Sequence, residues 1–303
     1  MRHLTTFRYI DEVAKVRSIR KAAETLAITP SALNRRILMF EEELGGPIFE
    51  RLPRGVRLNT AGEILIHHIR NQISDMDRVR SQIADVAGVR RGHVSLACPQ
   101  PALRFFLPSE IKRYREGHPE VTFNVHVRNG LAAEQALADH SADIAILAEA
   151  PYLAEFQTVL TIRQPVYVVM ADDHPLTKEK SPHLSECLEY PLLALPPTPN
   201  ALRSLLEGLA AQRSAKINLA VQSDSYEFLL NYVRAGQVLS FYLPLGLPAD
   251  KQMEGRVCRP ISSRDAPPVL LYLGQLRNRH LSVAASRFCD QLVNAFVKAY
   301  DCD

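Results

Sequence analysis

The sequence predicts an α/β protein: an N-terminal all-α winged helix-turn-helix, a long linker helix, and a C-terminal domain in which strands and helices alternate. Three observations predict it. Residues 18–60 contain two capped helical patterns separated by a tight turn, then a basic stretch bearing Pro53 and Gly55. Residues 62–88 keep one apolar stripe at helical spacing without a break. From His93 onward, strand-length apolar runs alternate with helix-length ones, which implies βαβ units and a parallel sheet with right-handed crossovers.

The head begins with a helix over residues 1–17, with Leu4, Phe7, Ile10 and Val13 or Ala14 at helical spacing. Ser18 can cap a second helix that buries Ala22, Ala23 and Leu26, and the small alanines let another helix cross closely. Ile28 fills the turn. Thr29 caps the third helix, with Pro30 at the first position, where a missing N–H costs nothing. Leu33, Ile37 and Phe40 form its inner stripe; Ser31, Asn34, Arg35 and Glu42 fall outside. A capped helix, basic near its start and polar outward, suits a major groove. Residues 51–58 read as a hairpin whose Arg51, Arg54 and Arg57 lie near a DNA backbone or reach a minor groove, where arginine is favoured. Charge agrees: residues 1–60 carry eleven Lys/Arg against seven Asp/Glu, whereas the chain as a whole has a net charge of only +3. The run Glu41-Glu42-Glu43 reads as the solvated end of the third helix.

As an ordered set, these residues resemble the LysR-type transcriptional regulators. The resemblance covers Ala22-Ala23, the helix capped by Thr29, Leu44-Gly45, Pro47-Ile48-Phe49-Glu50-Arg51 and Arg57-Leu58-Asn59-Thr60-Ala61-Gly62. It implies a regulator that binds double-stranded operator DNA, with Ser18, Arg20, Thr29, Pro30, Ser31, Asn34, Arg35, Arg36, Arg51, Arg54 and Arg57 as the DNA-binding residues. Two departures stand out: Asn34 and Asn59 occupy positions where the family usually has Ser or Thr. Asparagine can pair with adenine in a bidentate way, so Asn34 either reads a base edge or contacts only phosphate and water.

Past Gly62 the pattern is one long helix. Ile66, Ile69, Ile73, Met76, Ile83 and Val86 recur near a 3.5-residue period, with Val79 widening the stripe. Such a stripe needs cover. A partner helix predicts a dimer; packing against the chain's own domain is the alternative. His67 and His68 are adjacent and make no chelating pair. The resemblance further implies a homotetramer through sensor-domain contacts, and it allows RNA polymerase as a partner.

The C-terminal domain reads as a strand at 93–98, a helix over 103–114 stopped by Gly117-His118-Pro119, a strand at 121–127, a helix at 131–140 and a buried strand at 143–147. A second unit follows, with strands at 166–171, 192–195, 217–221 and 238–243, helices at 201–212 and 225–235, then a strand at 269–273 and a final helix at 282–299. The resemblance implies a two-subdomain, periplasmic-binding-protein-like sensor domain in which the chain crosses between subdomains twice. The expected organisation is residues 1–61 for DNA binding, 62–91 for the linker and dimerisation helix, and 92–303 for effector binding. In the last, 92–162 with 268–303 form subdomain I and 163–267 subdomain II.

In open parallel sheets ligands bind beyond the carboxyl ends of strands, at helix N-termini. That rule, at the places where this family binds its effectors, names Pro99, Gln100, Pro101, Ala148, Thr198, Asn200 and Ser223. Thr198 and Asn200 serve either as ligand groups or as plain N-caps. Relatives often place Ser or Thr after the first strand; Pro99 and Pro101 remove two backbone donors there, which predicts a less carboxylate-dependent or more apolar effector. Where the family usually has Gly-x-Gly-Ile, this chain reads Gly236-Gln237-Val238-Leu239, and a bulkier Val238 is expected to narrow the cleft.

No catalytic residues, cofactor or metal are expected: the chain lacks a G-x-S-x-G elbow, a phosphate-binding glycine loop, a dinucleotide fingerprint and H-E-x-x-H. Asp172-Asp173-His174-Pro175 reads as a turn. Cys98, Cys187, Cys258, Cys289 and Cys302 are scattered without ligand spacing and read as reduced thiols rather than redox or metal groups. With no apolar run of membrane length and no signal segment, a cytoplasmic protein with no membrane partner is expected. The reading is therefore a transcriptional regulator sensing a small-molecule effector; the alternative is a small-molecule sensor module with a vestigial DNA domain.

Overall fold

The chain divides in the computed structural model into two units, Met1–Val89 with Arg279–Val283, and Arg90–Asn278 with Ala284–Asp303. The structure describes all residues except Met1, Arg54, 87–91, 197–199, Ala235, Ala249, Lys251, Gln252 and Asp303; the side chains of Arg2, 77–78, 81–82, 84–86 and 301–302 are likewise not described.

In the first unit, helices α1 (Arg2–Val16), α2 (Ile19–Thr25) and α3 (Pro30–Leu44) precede a hairpin of β1 (Phe49–Leu52) and β2 (Gly55–Leu58), then α4 (Thr60–Val86). Ser18 Oγ accepts the Lys21 N–H (3.4 Å) and Thr29 Oγ1 the Ala32 N–H (3.3 Å), so both caps form where the sequence places them. Gly45, in the left-handed region at φ 88°, ends α3. Ile10, Val13, Ala22, Ala23, Leu33, Ile37, Ile48 and Val56 build the core. Ile66 and Ile69 of α4 complete it, and Ile73 packs against it. The front half of the α4 stripe is thus covered by the chain's own head, while Val79 and Ile83 stay exposed. Asp11 of α1 and Arg70 of α4, both nearly buried, pair at 2.9 Å. A Cβ on Gly62 would collide with the Ile48 carbonyl and one on Gly55 with the Arg17 carbonyl, so both glycines serve close backbone approach.

The second unit holds two mixed sheets. Its elements run β3 (Gly92–Cys98), α5 (Phe106–Gly117), β4 (Val121–Val127), α6 (Gly130–Ala138), β5 (Ile144–Leu147), β6 (Phe156–Gln164), β7 (Tyr167–Ala171), α7 (Leu184–Cys187), β8 (Leu192–Ala194), α8 (Ala201–Gln212), β9 (Leu219–Gln222), α9 (Tyr226–Tyr232), β10 (Leu239–Tyr242), β11 (Arg256–Pro260), β12 (Val269–Leu276), α10 (Val283–Ala299) and β13 (Asp301–Cys302). The first sheet has the order β13-β6-β12-β5-β3-β4 and the second β11-β7-β10-β8-β9. The expected parallel ladders are present in β4-β3-β5 and β10-β8-β9. The remaining strands pair antiparallel, so neither sheet is purely parallel. After β11 the chain returns to the first sheet, and β12 pairs with both β5 and β6.

Strands β6, β11 and β13 and helix α7 stand outside the elements expected from the sequence. The omission of β6 matters most, since it carries the antiparallel half of the first sheet. Its buried positions Phe156, Leu160, Ile162 and Gln164 keep an even spacing. Val238, expected at the cleft, instead packs against the second sheet's core with Val169 and Leu193.

Candidate nucleic-acid interface and ligand cleft

The outer side of α3 is open. Ser31, Arg35 and Arg36 are exposed and, with His3, Thr6 and Glu43, line a groove of about 810 Å³. Asn34 sits half-buried, and its Oδ1 accepts a hydrogen bond from Arg51 Nη2 of the hairpin (3.0 Å). Arg57 is exposed and paired across the hairpin with Glu50 (2.6 Å), and Arg20 lies 3.5 Å from Glu24 on the surface. Exposed pairs of this kind are weak, so a phosphate can displace them. Arg54 lies outside the described residues. Glu41 departs from expectation: it is not a solvated end but accepts the N–H groups of Ile48 (2.8 Å) and Phe49 (3.2 Å), because the chain entering β1 needs acceptors for both. Glu42 and Glu43 are exposed.

In the second unit, a cavity of about 200 Å³ lies at the carboxyl ends of β3, β4 and β5, facing the starts of α8 and α9. Pro99, Gln100, Pro101, Ala148 and Asn200 line it, as the carboxyl-end rule anticipates. Thr198 lies outside the described residues. Ser223 is absent from the lining: its Oγ accepts the Ser225 N–H (3.1 Å), and Asp224 faces the cavity instead. Two named residues are engaged at home. Asn200 Oδ1 caps α8 through the Arg203 N–H (3.0 Å), and Gln100 Oε1 faces the Tyr226 N–H opening α9 (3.5 Å).

Glu149, directly after β5, is the distinctive lining group. Burial pushes its carboxyl above the usual carboxylate range, against the opposing pull of the Ala201 and Gly130 amides. Among the described residues its Oε2 is buried without a hydrogen-bond partner, and so is Oδ1 of Asn129 in the same lining. Arg104–Glu227 (2.5 Å) and the packing of Pro101 against Gly246 add contacts between the two sheet regions beside the cavity.

Both regions match known families. A bacterial regulatory helix-turn-helix model of the lysR family matches residues 4–63, and the LysR substrate binding domain model matches residues 87–297. The chain belongs to the LysR family of transcriptional regulators. Among curated relatives of this LysR-type regulator, the HTH-type transcriptional activator CmpR of Synechocystis sp. is 24% identical over 296 residues, 95% of this chain and 94% of CmpR. A solved full-length OxyR from Pseudomonas aeruginosa shares the fold at TM-score 0.67 and 21% identity, covering 98% of this chain and 93% of that one. Full-length CbnR complexed with its target DNA shares it at TM-score 0.60 and 16% identity, covering 96% and 99%.

This LysR-type protein therefore combines a helix-turn-helix domain with an effector-binding domain. The carboxyl-end rule, applied to β4, would have named Val127 and Asn129, which line the cavity but were missed. Tyr226, Leu243, Leu245 and Leu271 come from elements whose approach to the cavity depends on how the sheets pack, and no local signal in the sequence reports that.

Proposed function

We propose that this regulator seats α3 in the major groove of operator DNA while the β1–β2 hairpin grips the backbone. The observation that carries the reading is the exposed outer face of α3, where Ser31, Arg35 and Arg36 face away from the core with Arg51 alongside. Arg35, Arg36, Arg51, Arg54 and Arg57 supply charge; Ser18 and Thr29 hold the helix starts at which phosphates dock; Asn34 contributes base preference. Residues 1–61 act as the reading head and 62–91 as the linker, whose exposed Val79 and Ile83 mate with a second copy. Within 92–303, subdomain I (92–162 and 268–303) and subdomain II (163–267) close on an effector and shift how paired heads sit on DNA. A homotetramer, a cytoplasmic location and a role based on binding rather than catalysis complete the proposal. RNA polymerase is the downstream partner for activation. The alternative of a vestigial head gains no support, since the lysR helix-turn-helix model matches the head itself.

Titration of the full chain with its promoter DNA at several salt concentrations tests this. A linear fall of log affinity with log salt, at about −0.9 per phosphate neutralised, is expected. A flat response overturns the reading.

A further inference from the structure

We propose that the effector bears a cationic donor group, an organic ammonium or its equivalent, that docks on Glu149. This rests on the effector-sensing reading above. The fold makes anion sites at helix N-termini, and here the carboxyl of Glu149 already stands near two of them, where the amides opening α6 and α8, at Gly130 and Ala201, favour its ionised form. An effector carboxylate would have to displace it or lie beside it, against like charge. What remains open in the cavity is acceptor capacity. Among the described residues Glu149 Oε2 and Asn129 Oδ1 are buried and find no partner, and buried acceptors of this kind call for a donor. The donors an anion needs are uncharged among the described lining side chains: the amides of Gln100, Asn129 and Asn200 and the Tyr226 hydroxyl. Pro99, Pro101 and Pro196 have no N–H, and the Tyr226 N–H is faced by Gln100. The charged side chains among the described lining residues are the carboxylates of Glu149 and Asp224, with no Lys, Arg or His beside them. The rest of the lining is largely apolar, with Val127, Leu195, Leu202, Leu243, Leu245 and Leu271 suited to the carbon skeleton of a small amine.

Matched probes decide it: calorimetric titration of the full-length protein with benzylamine and butylamine against benzoate and butyrate. The amines are expected to bind and the acids not. Glu149→Gln, which keeps the shape, is expected to weaken amine binding roughly tenfold or more. Asp224→Asn provides a second variant outside the core, with a smaller loss in the same direction. Melting curves on both variants establish that they fold. Acids binding in preference to amines, no amine binding, or amine binding unchanged by Glu149→Gln would each overturn the proposal. Promoter binding measured on the same preparations separates the two readings: DNA affinity that persists while the amine result fails leaves the regulator standing and removes only the effector class.

Discussion

Arg51 of the hairpin donates to Asn34 of α3 across 3.0 Å, so the side chain that departs from the family's usual Ser or Thr is tied to the neighbouring arginine. The free head therefore presents Asn34 with its acceptor oxygen engaged. Pairing both its groups with an adenine requires Arg51 to turn away, toward a phosphate.

The exchange gives a paired prediction. Asn34→Ser releases Arg51 and removes the bidentate amide; base preference at the contacted position changes by about 1–3 kcal/mol in competition binding against single-base operator variants. Arg51→Ala lowers affinity nearly evenly across those variants and reduces the log–log salt slope by about 1. If Asn34→Ser leaves the ranking of operators untouched, Asn34 reads no base.

The Asp11–Arg70 pair ties α1 to α4 at a nearly dry site, with both side chains 12% exposed. Asp11→Ala leaves the Arg70 guanidinium buried without this carboxylate. A loss of about 2 kcal/mol in head stability is expected, read from urea denaturation. The exposed Arg20–Glu24 pair is the control: Arg20→Ala changes stability by less than about 0.5 kcal/mol.

Ala27, between α2 and α3, holds φ 52° and is exposed. A Cβ is strained in that region, and glycine is not. Ala27→Gly is expected to stabilise the head by about 0.5–1 kcal/mol, seen as a higher denaturation midpoint with an unchanged m-value. A destabilised variant would show that the loop prefers the alanine for its unfolded-state restriction.

His174 is buried, its Nδ1 accepts the Leu176 N–H (3.2 Å), and its ring meets Tyr190 edge-on at 4.5 Å. Burial holds its pKa below the ordinary histidine value, opposed only by nearby Asp173. Because the folded value is depressed, the neutral ring contributes stability that is present above about pH 6.5, the unfolded value, and is lost as pH falls through the folded one. His174→Asn keeps a cap oxygen and removes the titration. Melting temperature scanned from about pH 7.5 to 5 should fall more steeply for the parent than for the variant.

The thiols of Cys98 and Cys187 are pushed up to about 12 and that of Cys289 to about 11, in each case chiefly by burial. At pH 8 on the order of one molecule in a thousand or fewer carries each thiolate. Maleimide labelling followed by mass spectrometry should find all three unmodified in the folded protein and modified in guanidinium. Rapid native labelling of any of them would refute the reading of inert core thiols.

What the sequence made legible follows physical range. Caps, the α2–α3 turn and the inner stripe of α3 are settled by residues within a few positions of one another, and they fold as read. The central strands β5 and β10 announced themselves through burial on both faces, as in Ile144–Leu147. Strand β6 was lost because its outward positions, Gln157, Thr158 and Val159, blur the alternation. Glu41 looked like a solvated charge because its partners, the Ile48 and Phe49 amides, lie beyond a turn. The cleft was half legible. Strand ends named Pro99 to Pro101, Ala148 and Asn200, while Glu149 and Asp224, adjacent to residues already named, gain meaning only once the cavity shows which neighbours turn inward.

The Glu41 carboxylate, holding the chain at Ile48 and Phe49 onto the tail of α3, fastens that helix to the hairpin behind it. The spacing between them is a ruler built into the protein. On the docking proposed above, duplexes whose groove width does not fit that ruler are expected to bind less tightly.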